Sequence, residues 1–123
     1  MKILLAEDDP NISTIAKLTL EKIGQHEVVL VDNGEDALNK ALSENFDLLL
    51  LDEMMPKMNG LRVCEEYNAK ATQPKPVIFL SAKSQAEAVE EFNRKGLGFI
   101  AKPFEPTQLC KLIDELLSSP EAV

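Results

Sequence analysis

Two stretches of this chain, Leu48-Leu49-Leu50-Leu51 and Val77-Ile78-Phe79-Leu80, are apolar with no polar residue at alternate positions. A strand with one wet face alternates, whereas a strand covered on both faces does not. These two therefore read as central strands packed between layers. The full set of expected strands is 2–6, 27–31, 47–52, 76–81 and 98–101, and helical periodicity is expected over 10–23, 34–44, 59–70, 84–95 and 106–118. Strands that alternate one by one with helices form parallel sheets through right-handed crossovers. The expected fold is α/β, a (βα)5 three-layer sandwich around a five-stranded, doubly wound parallel sheet.

Local signals place the helix ends. Asp9 caps the first helix, Pro10 occupies its first turn and Gly24 stops it, while Ser84 caps the fourth and Pro106 opens the fifth. The first buried stripe is expected to be Ile12, Ile15, Ala16, Thr19 and Ile23, and the second Ala37, Leu38, Ala41 and Leu42. Val63, Cys64 and Tyr67 form the third, Ala88, Val89 and Phe92 the fourth, and Leu109, Leu112, Ile113 and Leu116 the fifth. Residues 72–76 are a surface turn cluster, and 118–123 reads as a frayed end or the start of a linker.

A length of 123 residues suits one domain, 1–123, with a real core. No run reaches the roughly 18 apolar residues of a membrane span, and the opening Met1-Lys2 leads into a strand rather than a signal peptide, so a cytoplasmic location is expected. The net charge of −8, with no basic run and no Trp, disfavours direct nucleic-acid binding. Cys64 and Cys110 sit inside helical patterns as small core residues, and the single histidine, His26, reads as a surface residue without a second member for a triad.

Chemistry collects at the C-terminal ends of the strands. Glu7 and Asp8 follow the first, Asp52 ends the third, Ser81 ends the fourth and Lys102 follows the fifth. Each alone has an ordinary reading, as solvated acid, strand-end hydroxyl or surface lysine. Together, on matching strand ends, they describe one polar pocket at one sheet edge. Three carboxylates close together repel unless a cation shares them, and Mg²⁺ suits few protein oxygens plus several waters. A hydroxyl, an ammonium and a metal would hold three phosphoryl oxygens, with Asp52 as nucleophile. Gly96-Leu97-Gly98 matches no nucleotide-binding fingerprint and precedes the last strand rather than following the first.

These residues, with the loop Leu51-Asp52-Glu53-Met54-Met55-Pro56-Lys57-Met58-Asn59-Gly60 and Lys102-Pro103-Phe104, resemble the receiver domain of bacterial two-component response regulators over essentially the whole chain. The resemblance implies a flavodoxin-like strand order 2-1-3-4-5. It implies Asp52 as phosphoacceptor, Asp8 as direct Mg²⁺ ligand with Mn²⁺ able to substitute, Glu7 acting through water, and the Met54 backbone carbonyl as a further ligand. Ser81 and Lys102 would contact the phosphoryl group, and Ser81 and Phe99 would form the switch that repacks the surface of the fourth helix, fifth strand and fifth helix. Met54 and Lys83 flank the path of the hydrolytic water and would set the lifetime of the phosphorylated state. Departures are small: serine rather than threonine at 81, glutamate rather than aspartate at 7, and Leu97 before the last strand.

The expected function is then acceptance of a phosphoryl group from a sensor histidine kinase or phosphotransfer protein, followed by slow self-dephosphorylation. This is a signalling domain rather than a turnover enzyme. A stand-alone regulator and a receiver attached to an output domain both fit, and a homodimer stays open. Rival readings are an inactive pseudo-receiver, a flavin-binding domain and a metal-dependent phosphatase with an aspartyl nucleophile. The flavin reading lacks a phosphate-binding loop after the first strand. The phosphatase would want an acid where Met54 stands.

Overall fold

The computed structural model describes residues 1–81, 96, 98–102 and 104–118. Five strands, β1 (Lys2–Ala6), β2 (Glu27–Val31), β3 (Leu48–Asp52), β4 (Val77–Ser81) and β5 (Gly98–Ala101), form one parallel sheet in the order β2-β1-β3-β4-β5. Among the described residues the helices are α1 (Pro10–Lys22), α2 (Gly34–Ser43), α3 (Gly60–Lys70) and α4 (Pro106–Leu117). The helix expected over 84–95, with its Ser84 cap and apolar stripe, lies outside the described residues, as do Lys83, Leu97 and Pro103.

Every residue of β3 and β4 is buried, as their unbroken apolar runs require. Successive side chains go to opposite faces. Leu4, Ala6, Leu49, Leu51, Val77 and Phe79 meet Ala37, Leu38 and Ala41 of α2 and Val63, Cys64 and Tyr67 of α3. Ile3, Leu5, Leu48, Leu50, Ile78, Leu80 and Ile100 meet Ala16 and Leu20 of α1 and Leu109 and Ile113 of α4. Each fully buried leucine contributes about 1.5–3 kcal/mol of transfer free energy, and this double burial fixes the strand ends against one another.

Ends and stripes differ from the sequence reading in instructive ways. β3 starts at Leu48 because the Asp47 side chain turns to accept the Lys2 backbone N–H at 2.8 Å. Asn59 is a cap rather than a helical residue, its Oδ1 accepting from the Arg62 N–H at 2.8 Å. Asp9 caps α1 as expected, accepting from the Asn11 N–H at 2.9 Å. The α1 stripe is corrected: Ser13, Ala16, Thr19 and Leu20 are buried, while Ile15 and Ile23 are exposed and Ile12 is half-buried. The buried Ser13 hydroxyl is satisfied by donating to the Pro10 carbonyl at 3.2 Å. In α2, Gly34, Ala37, Leu38 and Ala41 form the inward face, leaving Leu42 at the exposed margin.

Candidate phosphoacceptor site

The strand register brings the polar residues to one edge. Ala6 pairs with Leu51, Asp52 with Leu80, and Ser81 with Ala101. The residues that end or follow these strands therefore meet at the point where strand order reverses around β1. Burial of the strands also buries what they carry: Glu7, Asp52 and Ser81 are 1–3 % exposed.

Lys102 organises the acids. Its Nζ lies 2.7 Å from Glu7 Oε1 and 2.9 Å from Asp52 Oδ1. The other Glu7 oxygen, Oε2, accepts the Asp9 backbone N–H at 3.1 Å. Glu7 is thus engaged on both oxygens, whereas Asp8 faces solvent. One carboxylate oxygen from each of Glu7, Asp8 and Asp52 falls within 4.8 Å of the others. Three carboxylates against one ammonium leave an excess of negative charge, and the donors are hard oxygens, one of them open to solvent. That donor set fits a partly hydrated Mg²⁺.

The electrostatics have the same origin. Burial pushes the Asp52 carboxyl up to about 7, with Lys102 opposing the rise and the Glu7 carboxylate reinforcing it. Burial works against the Lys102 ammonium, but its bonds to Glu7 and Asp52 outweigh this and hold its pKa above the ordinary value. The pair keeps a charged lysine next to a carboxyl that is only half-ionised near neutrality.

Backbone contacts fix the loop after Asp52. The Glu53 N–H donates to the Leu80 carbonyl at 2.9 Å, and the Gly60 N–H donates to the Glu53 carbonyl at 3.0 Å. A Cβ on Gly60 would stand 2.4 Å from the Asp52 carbonyl oxygen, so only glycine lets α3 start this close. The Met54 N–H approaches Asp52 Oδ1 at 3.4 Å, and Met54 is 66 % exposed. The buried Glu53 was given no role by the sequence reading. An acid next to an acid in a loop reads as solvated, and only the fold shows it buried.

The structure brings together Glu7, Asp8, Asp52 and Lys102, and it places Ser81 one backbone hydrogen bond away, its carbonyl accepting the Lys102 N–H at 2.8 Å. Phe99 is half-buried, paired in register with Phe79 and packed on the α2–α3 side of the sheet, rather than at the carboxylates. Beside Lys102, Ile12, Ile15, Phe104 and Pro106 line an apolar cleft of about 240 Å³.

Comparison with known proteins points the same way. The family described as the response regulator receiver domain matches residues 3–114. The transcriptional regulatory protein ResD of Bacillus subtilis is 34 % identical over 117 residues, which are 94 % of this chain and 48 % of ResD. The response regulator ArlR of Staphylococcus saprophyticus is 35 % identical over 117 residues, covering 94 % of this chain and 52 % of ArlR. This chain spans about half the length of these relatives. Among solved structures, the receiver domain of the Francisella response regulator 1452 superposes with a TM-score of 0.84 at 28 % identity, covering 94 % of each chain.

Proposed function

The chain belongs to the response regulator receiver domains of two-component systems, a family typically phosphorylated on aspartate, and from that premise we propose that Asp52 is the phosphoacceptor. The observation that carries this is the cluster itself: a buried carboxylate 2.9 Å from Lys102, with Glu7 and Asp8 within reach of the same cation. An Asp52 oxygen attacks phosphorus in line. The bond to the donor's histidine nitrogen breaks, and its electron pair leaves with the imidazole. Lys102 then holds one phosphoryl oxygen and the Ser81 hydroxyl donates to another. Water later attacks the phosphorus, the bond from the Asp52 oxygen breaks, inorganic phosphate leaves and Asp52 returns to its carboxylate.

Mg²⁺ would be held by Asp8, Asp52 and the Met54 backbone carbonyl, with Glu7 acting through water and Mn²⁺ able to substitute. When bound it supplies neutralisation of the charge that builds up between the carboxylates and the phosphoryl oxygens. The engagement of both Glu7 oxygens favours Asp8 over Glu7 as the direct ligand.

In this reading residues 1–123 act as one cytoplasmic phosphoacceptor domain, and among the described residues no helix is long and apolar enough to cross a membrane. Its donor is a sensor histidine kinase or phosphotransfer protein. Its output passes through Ser81 and Phe99 to the surface containing β5 and α4, and from there to an attached domain, a separate protein or a second copy. The required groups are all present, so nothing favours an inactive pseudo-receiver. Met54 at the position where a phosphatase would want an acid disfavours that alternative.

Incubation with Mg²⁺ and acetyl phosphate should add one phosphoryl group to the wild type and none to Asp52→Asn, measured by intact mass. Equal labelling of the variant, at a linkage stable to base, overturns the assignment.

A further inference from the structure

The loop from Glu53 to Asn59 carries Met54, and one of its supports comes from outside both flanking elements. The Gly34 N–H, at the first position of α2, donates to the Pro56 carbonyl at 3.2 Å. That carbonyl also accepts the Met58 N–H at 2.8 Å, closing a tight turn across Lys57, whose φ is 70°. A three-residue turn with positive φ at a lysine is strained and persists only where its surroundings hold it. At Gly34 the approach is closer than any side chain permits: a Cβ would lie 1.8 Å from the Met58 carbonyl oxygen and 2.6 Å from the Met58 carbonyl carbon. These are backbone atoms that cannot swing aside.

The α2 terminus is itself stiff. Asn33 Oδ1 accepts the Asp36 N–H at 2.8 Å, and Asn33 Nδ2 donates to Asp32 Oδ1 at 2.9 Å and Asp36 Oδ2 at 3.0 Å. Asn33 is buried, so this cap does not fray into solvent.

The geometry points to Gly34 as a positioning residue for the metal-binding loop: by admitting the Met58 carbonyl where a Cβ would stand and donating to Pro56, it clamps the 53–59 turn that carries Met54, whose backbone carbonyl is a ligand in the Mg²⁺ reading above. The inference rests on the Mg²⁺ reading above. Gly34 touches neither metal nor phosphate; it acts through the loop. Any side chain at position 34 pushes Met58 away and moves the strained turn, and with it the carbonyl ligand.

Two measurements on the 123-residue chain test it. In calorimetric titrations with Mg²⁺, Gly34→Ala should bind at least tenfold more weakly than the wild type, whereas Ala37→Gly, which weakens the same helix away from the loop, should bind within twofold. In the wild type, amide exchange reports the clamp without any substitution. If the opened clamp cannot bind metal, Mg²⁺ at ten times its Kd should slow exchange of the Gly34 N–H by about tenfold, the factor 1 + [L]/Kd. The Lys75 N–H, bonded to the Tyr67 hydroxyl at 2.8 Å outside this clamp, should not change. Exchange at Gly34 that is unaltered by bound Mg²⁺, or Gly34→Ala affinity within twofold of wild type, overturns the clamp while leaving the metal reading intact. A wild type that binds no Mg²⁺ overturns the metal reading and the clamp with it.

Discussion

Asp52 is 3 % exposed and depends on Lys102, 2.9 Å away, to balance a carboxylate that burial and Glu7 both disfavour. Its folded pKa of about 7 stands above the ordinary 3.8. Between those values the folded protein keeps a proton that the unfolded chain has released, so stability falls as pH rises through that window. Asp52→Asn removes the charge and leaves Lys102 its 2.7 Å bond to Glu7. The metal-free variant should therefore melt about 3–8 °C above the wild type at pH 8, with the gain vanishing near pH 4, as scanning calorimetry can establish. The same proton must leave before a cation binds, so Mg²⁺ should bind roughly tenfold more weakly at pH 6 than at pH 8. Equal affinity at the two pH values would show either that Asp52 is not a ligand or that its carboxyl is already ionised at pH 6, and Asp52→Asn, which loses binding only in the second case, separates the two. Among the acids, Asp8→Ala should weaken Mg²⁺ binding at least tenfold and Asp9→Ala by less than threefold, read by calorimetry. The positions of Glu7, Asp8, Asp52 and Lys102 were legible in the sequence because strand ends announce themselves. The pairing of Lys102 with Glu7 was not, since it depends on a register that joins residues from opposite ends of the chain.

The helices show what hydrophobicity can and cannot tell. β3 and β4 were legible because their unbroken apolar runs are too short for buried helices and suit strands covered on both faces. The inward face of α1 was legible at Ala16 and Thr19 but not at Ser13 and Leu20, because a stripe traced through the isoleucines is rotated away from the face the fold buries. Leu20→Ala should accordingly cost about 2–4 kcal/mol, while Ile23→Ser should stay within about 0.5 kcal/mol, both by urea denaturation. A reversed order would put the isoleucines back in the core. The loop after β3 carries a kinetic consequence. Met54 follows Asp52 by two residues and its side chain is apolar, flexible and exposed, so if it folds over Asp52 it would shield an acyl phosphate without orienting water through a strong hydrogen bond. Phosphoryl label should be lost faster from Met54→Asn than from the wild type at pH 7 in saturating Mg²⁺. Equal or slower loss would turn attention to Lys83, which lies outside the described residues.

At the scale of the whole molecule, the two sides of the sheet are unequal among the described residues. On the α2–α3 side the large apolar residues are mostly drawn into the core, whereas α1 leaves Ile15 and Leu18 exposed at 46 % and 51 % on a chain of net charge −8. Ile12 and Ile15 continue into the apolar cleft with Phe104 and Pro106, and that cleft ends at Lys102. If Asp52 is the phosphoacceptor, an apolar strip leading to it would give a protein donor a surface on which to align its phosphohistidine, while a small phosphodonor needs no such alignment. The two donors therefore separate docking from chemistry. Ile15→Asp places a charge in the middle of the strip without touching Glu7, Asp8, Asp52 or Lys102. Its phosphorylation by acetyl phosphate should stay within twofold of wild type. Its phosphorylation by a histidine kinase or phosphotransfer protein that is active on the wild type should slow at least tenfold, followed by transfer of radiolabel in single-turnover mixing. Slowing with both donors would mean that the substitution had disturbed the site itself, and slowing with neither would move the docking surface off α1.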